Sequence, residues 1–167
     1  MTSDGPRLPF DPIDEAARQW SLRWDAVPQM HAVTSIMRVQ QLVLGRLDEL
    51  LRPYGLTFAR YEALVLLTFS RRGSLPLGKM GQRLQVHPTS ITSIIDRLEA
   101  AELVARRRHP EDGRAVLAEI TDRGRELVEA ATRALVAAEF ALPDVSGHDL
   151  AELSALLKPI RQRAGDF

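Results

Sequence analysis

Four short hydroxyl side chains, Thr89, Ser90, Thr92 and Ser93, stand within five residues of one another, with Arg97 one turn further on. Read at helical spacing, Ile91, Ile94, Ile95 and Leu98 form one apolar face, and Thr89, Thr92, Ser93, Asp96 and Arg97 fall on the other. A helix that needed only solubility would carry Glu and Lys there, because both are better helix formers than Thr or Ser. Short hydroxyls have a different use: they let a helix approach base edges and phosphates closely in a major groove. Cations surround this cluster. Lys79 and Arg97 are candidates for phosphate contacts, and Arg106, Arg107 and Arg108 lie consecutively on a predicted strand. Side chains alternate along a strand, so the three cannot meet the same phosphates. Arg106 and Arg108 are taken as the pair that touches nucleic acid. Arg114 follows a predicted tight turn that projects it from a hairpin tip, and a narrow minor groove attracts an inserted guanidinium. Asp112, two residues earlier, can accept a hydrogen bond from that guanidinium and limit its rotamers.

This chemistry is recognition, not catalysis. No nucleophile–base spacing, phosphate loop or carboxylate pair stands out, so no enzymatic activity is expected. His31, His87, His109 and His148 are read as scattered residues with no carboxylate or histidine one turn away, and neither a metal site nor a cofactor is expected.

The elements that must position these residues follow from periodicity and punctuation. Residues 1–12 read as a flexible arm. Asp11-Pro12 reads as an N-cap followed by proline in the first turn, opening a helix over 13–26 that carries Trp20 and Trp24. Pro28 separates it from a long helix over 29–51, with Val33, Ile36, Met37, Val43, Leu44, Leu47, Leu50 and Leu51 as its apolar stripe. Thr57 caps a helix over 58–70, and Ser74-Leu75-Pro76 is an extended link. A short helix over 77–84, a tight turn at Gln85-Val86-His87 and a helix over 88–101 form a helix-turn-helix. A strand over 104–108, a turn containing Asp112-Gly113 and a strand over 115–120 form a two-stranded hairpin. Thr121 caps an Ala-rich helix over 122–141. Ser146 caps a last helix with Leu150, Leu153, Leu156, Leu157 and Ile160 at spacings of three or four. The fold class is therefore all-α with a small β-hairpin wing. The winged helix-turn-helix is expected over 56–121, and helices over 13–55 and 122–167 are expected to dimerise.

Composition first points away from nucleic acid, because Lys plus Arg and Asp plus Glu both number 22 and the net charge is zero. The charges are unevenly placed. Between residues 71 and 117 there are nine basic and five acidic residues, so that window is +4 and the remainder is −4. One polyanion-facing surface on an otherwise acidic body is the expectation. An apolar fraction of 45% is too high for a disordered chain. With no Cys, disulfides, thiolate metal sites and thiol-based sensing are excluded. No apolar run reaches a membrane span and the first residues lack a signal core, so no membrane partner and a cytoplasmic location are expected.

In its ordered motifs the sequence resembles the MarR family of bacterial transcription regulators over about residues 29–163. The resemblance is carried by Leu56-Thr57 with Leu64, by Leu84 through Thr92 across the turn, and by Asp96-Arg97-Leu98-Glu99 followed by Leu103-Val104. Pro110-Glu111-Asp112-Gly113-Arg114 and Ile120-Thr121-Asp122-Arg123-Gly124 complete it. It implies a homodimer that binds a palindromic operator in double-stranded DNA, probing the major groove with the helix over 88–101 and the minor groove with Arg114. A repressor released by a small, often aromatic, acid is implied too, with His31, Arg38 and Tyr61 as effector-pocket candidates by position. Two departures stand out: His87 replaces the Ser or Asp cap common in the family, and Ala101-Glu102 stands where a glycine usually precedes Leu103. The competing reading is a winged helix used for protein–protein interaction without DNA, which needs no Arg114.

Overall fold

The computed structural model describes residues 8–109 and 115–167, in two compact units, residues 1–45 and 46–167. Asp112 and Arg114, assigned above to a wing tip, lie outside the described residues, as do the first seven positions of the expected arm.

In the first unit, α1 (Pro12–Ser21) opens as predicted, with the Asp11 carboxylate accepting from the Ile13 N–H at 2.7 Å. It stops five residues short of the predicted end. The Trp20 indole N–H donates to the Asp25 carbonyl at 2.8 Å, and Trp20 and Trp24 close on each other with ring centroids 4.7 Å apart. Ala26 then takes a left-handed conformation, φ 57°, and starts α2 (Val27–Leu51). Pro28 thus lies inside the first turn of α2 instead of before it, where its missing N–H costs nothing. His31 is bonded through Nε2 to Asp14 Oδ1 at 2.8 Å, which ties α2 to α1.

The second unit begins with the last turn of α2, whose Leu47 and Leu51 are buried. After a 3₁₀ turn (Arg52–Tyr54) and a left-handed Gly55, α3 (Phe58–Thr68) follows. Its N-terminus is not capped by the Thr57 hydroxyl. Asp48 of α2 reaches across and accepts from the Phe58 N–H at 2.7 Å, while Thr57 Oγ1 accepts from Arg60 Nε. Next come β1 (Ser74–Pro76), α4 (Leu77–Leu84), α5 (Pro88–Ala100), β2 (Val104–Arg108), β3 (Val116–Ile120), α6 (Asp122–Ala137) and α7 (Gly147–Arg163). The sheet has three antiparallel strands in the order β1-β3-β2, not two. Ser74-Leu75-Pro76, expected as a link, pairs with Glu119, Ala118 and Leu117, and the Ile120 N–H extends the pairing to the Gly73 carbonyl at 2.9 Å.

Leu51, Leu56, Leu64, Leu67, Met80, Ile91, Ile95, Leu98, Val104, Ala118, Val128 and Leu135 form the core of this unit. The apolar face predicted for α5 points into it. The junction of wing and α6 depends on one close approach. Gly124 sits so near the Leu103 carbonyl that any Cβ would collide with it. Thr121 Oγ1 accepts from the Gly124 N–H at 3.0 Å, and the Thr121 N–H donates to the same Leu103 carbonyl at 3.1 Å. That is the physical content of the Thr-x-x-Gly spacing.

α6 ends at Ala137, four residues before the predicted end. Glu139, Phe140 and Ala141 then turn left-handed at φ 49°, 51° and 62°. A left-handed residue other than glycine costs about 1–2 kcal/mol, so three in succession require support from their surroundings. α7 is capped by Ser146 as predicted, its Oγ accepting from the Asp149 N–H at 3.1 Å, and it carries Pro159 within its length. No residue of α7 is buried. Among the described residues no helix is long and apolar enough to cross a membrane.

Candidate nucleic-acid interface

α5 is presented by the turn before it. Gln85 closes α4 in a left-handed conformation, φ 52°, and the Val86 N–H returns to the Gly81 carbonyl at 3.0 Å. His87 then serves as the N-cap: its Nδ1 accepts from the Thr89 N–H at 3.3 Å. An imidazole thus does the work expected of Ser or Asp. Pro88 occupies the first turn, and the Thr92 hydroxyl donates back to its carbonyl at 3.0 Å. Ile91, Ile95 and Leu98 are buried. Thr89, Ser90, Thr92, Ser93 and Arg97 are all exposed, so the structure brings the hydroxyl cluster and a cation onto the outer side of one rigidly backed helix. Lys79 is exposed on α4.

The far end of α5 turns without glycine. Glu102 adopts φ 59° and lets the Leu103 N–H reach the Leu98 carbonyl at 2.9 Å. Its side chain forms an exposed ion pair with Arg123, and its carbonyl accepts from the Thr121 hydroxyl.

The three strand arginines differ in their surroundings. Arg106, expected to face nucleic acid, turns toward α5. Its Nη2 meets Asp96 Oδ1 at 2.5 Å, its Nη1 bonds Glu99 Oε2, and its backbone N–H donates to Glu99 Oε1 at 3.2 Å. The hydrogen bond to Asp96, then that to Glu99, hold its guanidinium above its usual pKa against the opposing effect of burial. Arg106 therefore braces the wing strand against the helix. Asp96 and Glu99, three apart on α5, were the sequence signal for it. Arg107 pairs with Glu119 across the sheet at 3.1 Å. Arg108, at the end of β2, is exposed and engages no carboxylate among the described residues.

A cavity of about 800 Å³ opens between α3 and α6. Tyr61 lines it, with its hydroxyl 3.0 Å from Thr132 Oγ1. The other two effector candidates belong to the first unit, where His31 is engaged by Asp14 and Arg38 is exposed on α2. Sequence reading missed Phe58, Val65 and Phe69, which with Tyr61 make the apolar side of α3 wider than the core alone requires. It also misjudged His148, which pairs with Glu152 at 3.5 Å one helical turn away. Among the described residues no three His, Cys, Asp or Glu side chains gather as metal ligands.

Residues 59–116 match the MarR family. Sco5413, a MarR family transcriptional regulator from Streptomyces coelicolor with a crystal structure, is 57% identical, and the match covers 85% of this chain and 99% of that one with a TM-score of 0.80. The organic hydroperoxide resistance transcriptional regulator of Bacillus subtilis (strain 168) is 33% identical over 108 residues, 65% of this chain and 71% of the relative. Sco3205, a MarR family regulator from Streptomyces coelicolor solved in complex with DNA, shares the fold at 21% identity, with a TM-score of 0.73 over 84% of this chain and 89% of that one. The first two curated relatives are matched over about half their length, 54% and 57%.

Proposed function

The chain belongs to the MarR family of transcriptional regulators, and from that premise we propose that it is a homodimeric repressor of double-stranded, palindromic operator DNA, released by a small molecule. One observation carries the reading: the exposed face of α5 offers four hydroxyls and Arg97, while its opposite face is locked into the core. A helix held this firmly can meet base edges without losing further freedom. Lys79 and Arg108 flank it as phosphate contacts, and Arg114 enters the minor groove with Asp112 limiting its rotamers. Residues 56–121 form the DNA-binding lobe.

A palindrome requires two such helices about one DNA turn apart, ~34 Å. Val33, Ile36 and Met37 on α2 and Leu153, Leu156 and Ile160 on α7 are uncovered in the single chain. Apolar surface of that extent supports assembly with a second copy through residues 13–55 and 122–167. Small-molecule control is supported by the cavity on Tyr61.

Selection of bound fragments from genomic DNA tests this reading. The expected result is enrichment of fragments sharing an inverted repeat, bound by a species of twice the monomer mass in sedimentation. Absence of any enriched sequence, or binding by a monomer, contradicts it and favours a winged helix that contacts protein.

A further inference from the structure

We infer that Thr92 reads an exocyclic amino group in the major groove, the N6 amino of an adenine or the N4 amino of a cytosine. The reason is that a bond α5 makes to itself leaves the Thr92 hydroxyl only lone pairs to offer. The inference rests on the proposed reading of DNA by α5, and adds which kind of base edge one of its side chains accepts from.

The Thr92 hydroxyl lies 3.0 Å from the Pro88 carbonyl, one turn back. A carbonyl oxygen can only accept, so the hydroxyl is the donor and its single proton is engaged. Around this bond the first turn of α5 is pinned. The Thr89 N–H donates to His87 Nδ1 at 3.3 Å, and the Ser90 N–H donates to the His87 carbonyl at 2.8 Å. Pro88 fixes its own φ and helps to hold the accepting carbonyl in place. Thr92 is β-branched, so its side chain is stiff at χ1. It is also exposed, near the start of the helix, the part of a groove-bound helix that meets base edges. Its neighbours differ. The hydroxyls of Thr89, Ser90 and Ser93 bond to no described residue, so each can donate or accept. Of the four, only Thr92 has its polarity fixed.

Base edges sort by the same rule. Guanine presents N7 and O6 and thymine presents O4, all acceptors, which an acceptor-only oxygen cannot bond. Adenine presents its N6 amino and cytosine its N4 amino, both donors. To serve guanine or thymine, Thr92 would have to give up the bond to Pro88.

The test uses the full chain, anisotropy titrations and the operator obtained by genomic selection. Single adenines are replaced by purine, which lacks the N6 amino, and single cytosines by 2-pyrimidinone, which lacks the N4 amino. Acceptors are removed in parallel, with 7-deazapurines for N7, 2-aminopurine for O6 and 5-methyl-2-pyrimidinone for O4. Each duplex is titrated with the wild-type chain and with Thr92→Val, which keeps the shape and removes the hydroxyl. One amino deletion in a half-site should weaken the wild-type chain by about threefold to tenfold more than it weakens Thr92→Val. The analogue that produces this coupling tells adenine from cytosine. Weaker base pairing acts on both chains and cancels in the comparison. Loss of the bond to Pro88 by itself would weaken Thr92→Val on every duplex alike and would show no coupling. Thermal melts check that the variant folds. If no amino deletion separates the two chains, or only an acceptor deletion does, the inference is overturned while the reading of DNA by α5 stands. A wild-type chain that cannot tell the operator from a scrambled duplex defeats that reading, and the inference with it.

Discussion

Arg106 gives the sharpest separation between a cation that touches DNA and one that shapes the protein. In Arg106→Met the aliphatic stem survives and the bonds to Asp96 and Glu99 are lost. The Arg106 side chain is 27% exposed and its partners 57% and 40%, so solvent screening brings the network well below a buried triad. Charge-assisted bonds of intermediate exposure suggest a loss of about 1–2 kcal/mol, or a melting temperature lower by about 3–6 °C for a chain of this size. Operator affinity should fall by about tenfold as the wing strand loses its brace on α5. The slope of log affinity against log salt should not change, because no phosphate contact has been removed. Arg106→Lys should behave like Met, since a point charge cannot bridge two carboxylates as the planar fork does. Calorimetric melts and fluorescence anisotropy across a salt series provide both readings. If the salt slope becomes shallower by about 0.9, Arg106 is neutralising a phosphate and the bracing argument is wrong.

Other perturbations probe the same frame. Arg108→Ala should make the salt slope shallower by about 0.9 while leaving the melting temperature within about 1 °C, read from the same two experiments. Arg114→Ala should cost at least ~1 kcal/mol of operator binding, and an unchanged dissociation constant would remove it from the minor groove. Gly124→Ala should destabilise by about 2 kcal/mol or more in urea unfolding, because its Cβ runs into the Leu103 carbonyl. Glu102→Gly should raise stability by about 0.5–1 kcal/mol: relief of the left-handed residue exceeds the entropy glycine adds to the unfolded chain, and the exposed pair with Arg123 contributes little.

The helix-turn-helix and the wing strands were readable because their signals are local. Ile91, Ile94, Ile95 and Leu98 repeat at helical spacing, and the Asp112-Gly113 turn signal separates the segments 104–108 and 115–120. What escaped reading depends on contacts distant in sequence. Three residues are too few to show alternation, so Ser74–Pro76 became a strand only through the free edge of β3. The cap of α3 comes from Asp48, ten residues upstream, and not from the adjacent Thr57. Nothing in the Ala-rich run after Ala137 forbids more helix, so the left-handed turn at Glu139–Ala141 left no mark on propensity. Charge alone could not tell Arg106 from Arg108. Strand alternation gives them the same face, and only the approach of Asp96 and Glu99 sets Arg106 apart as the one held within the protein.

The central claim is that the hydroxyl face of α5 reads bases. Anisotropy titrations of the double variant Thr92→Ala/Ser93→Ala, against the selected operator and against a scrambled duplex of equal length, test it most directly. The account predicts that operator affinity falls by roughly tenfold or more while affinity for the scrambled duplex is unchanged, so the specificity ratio collapses. Equal losses on both duplexes, or none on either, would contradict it.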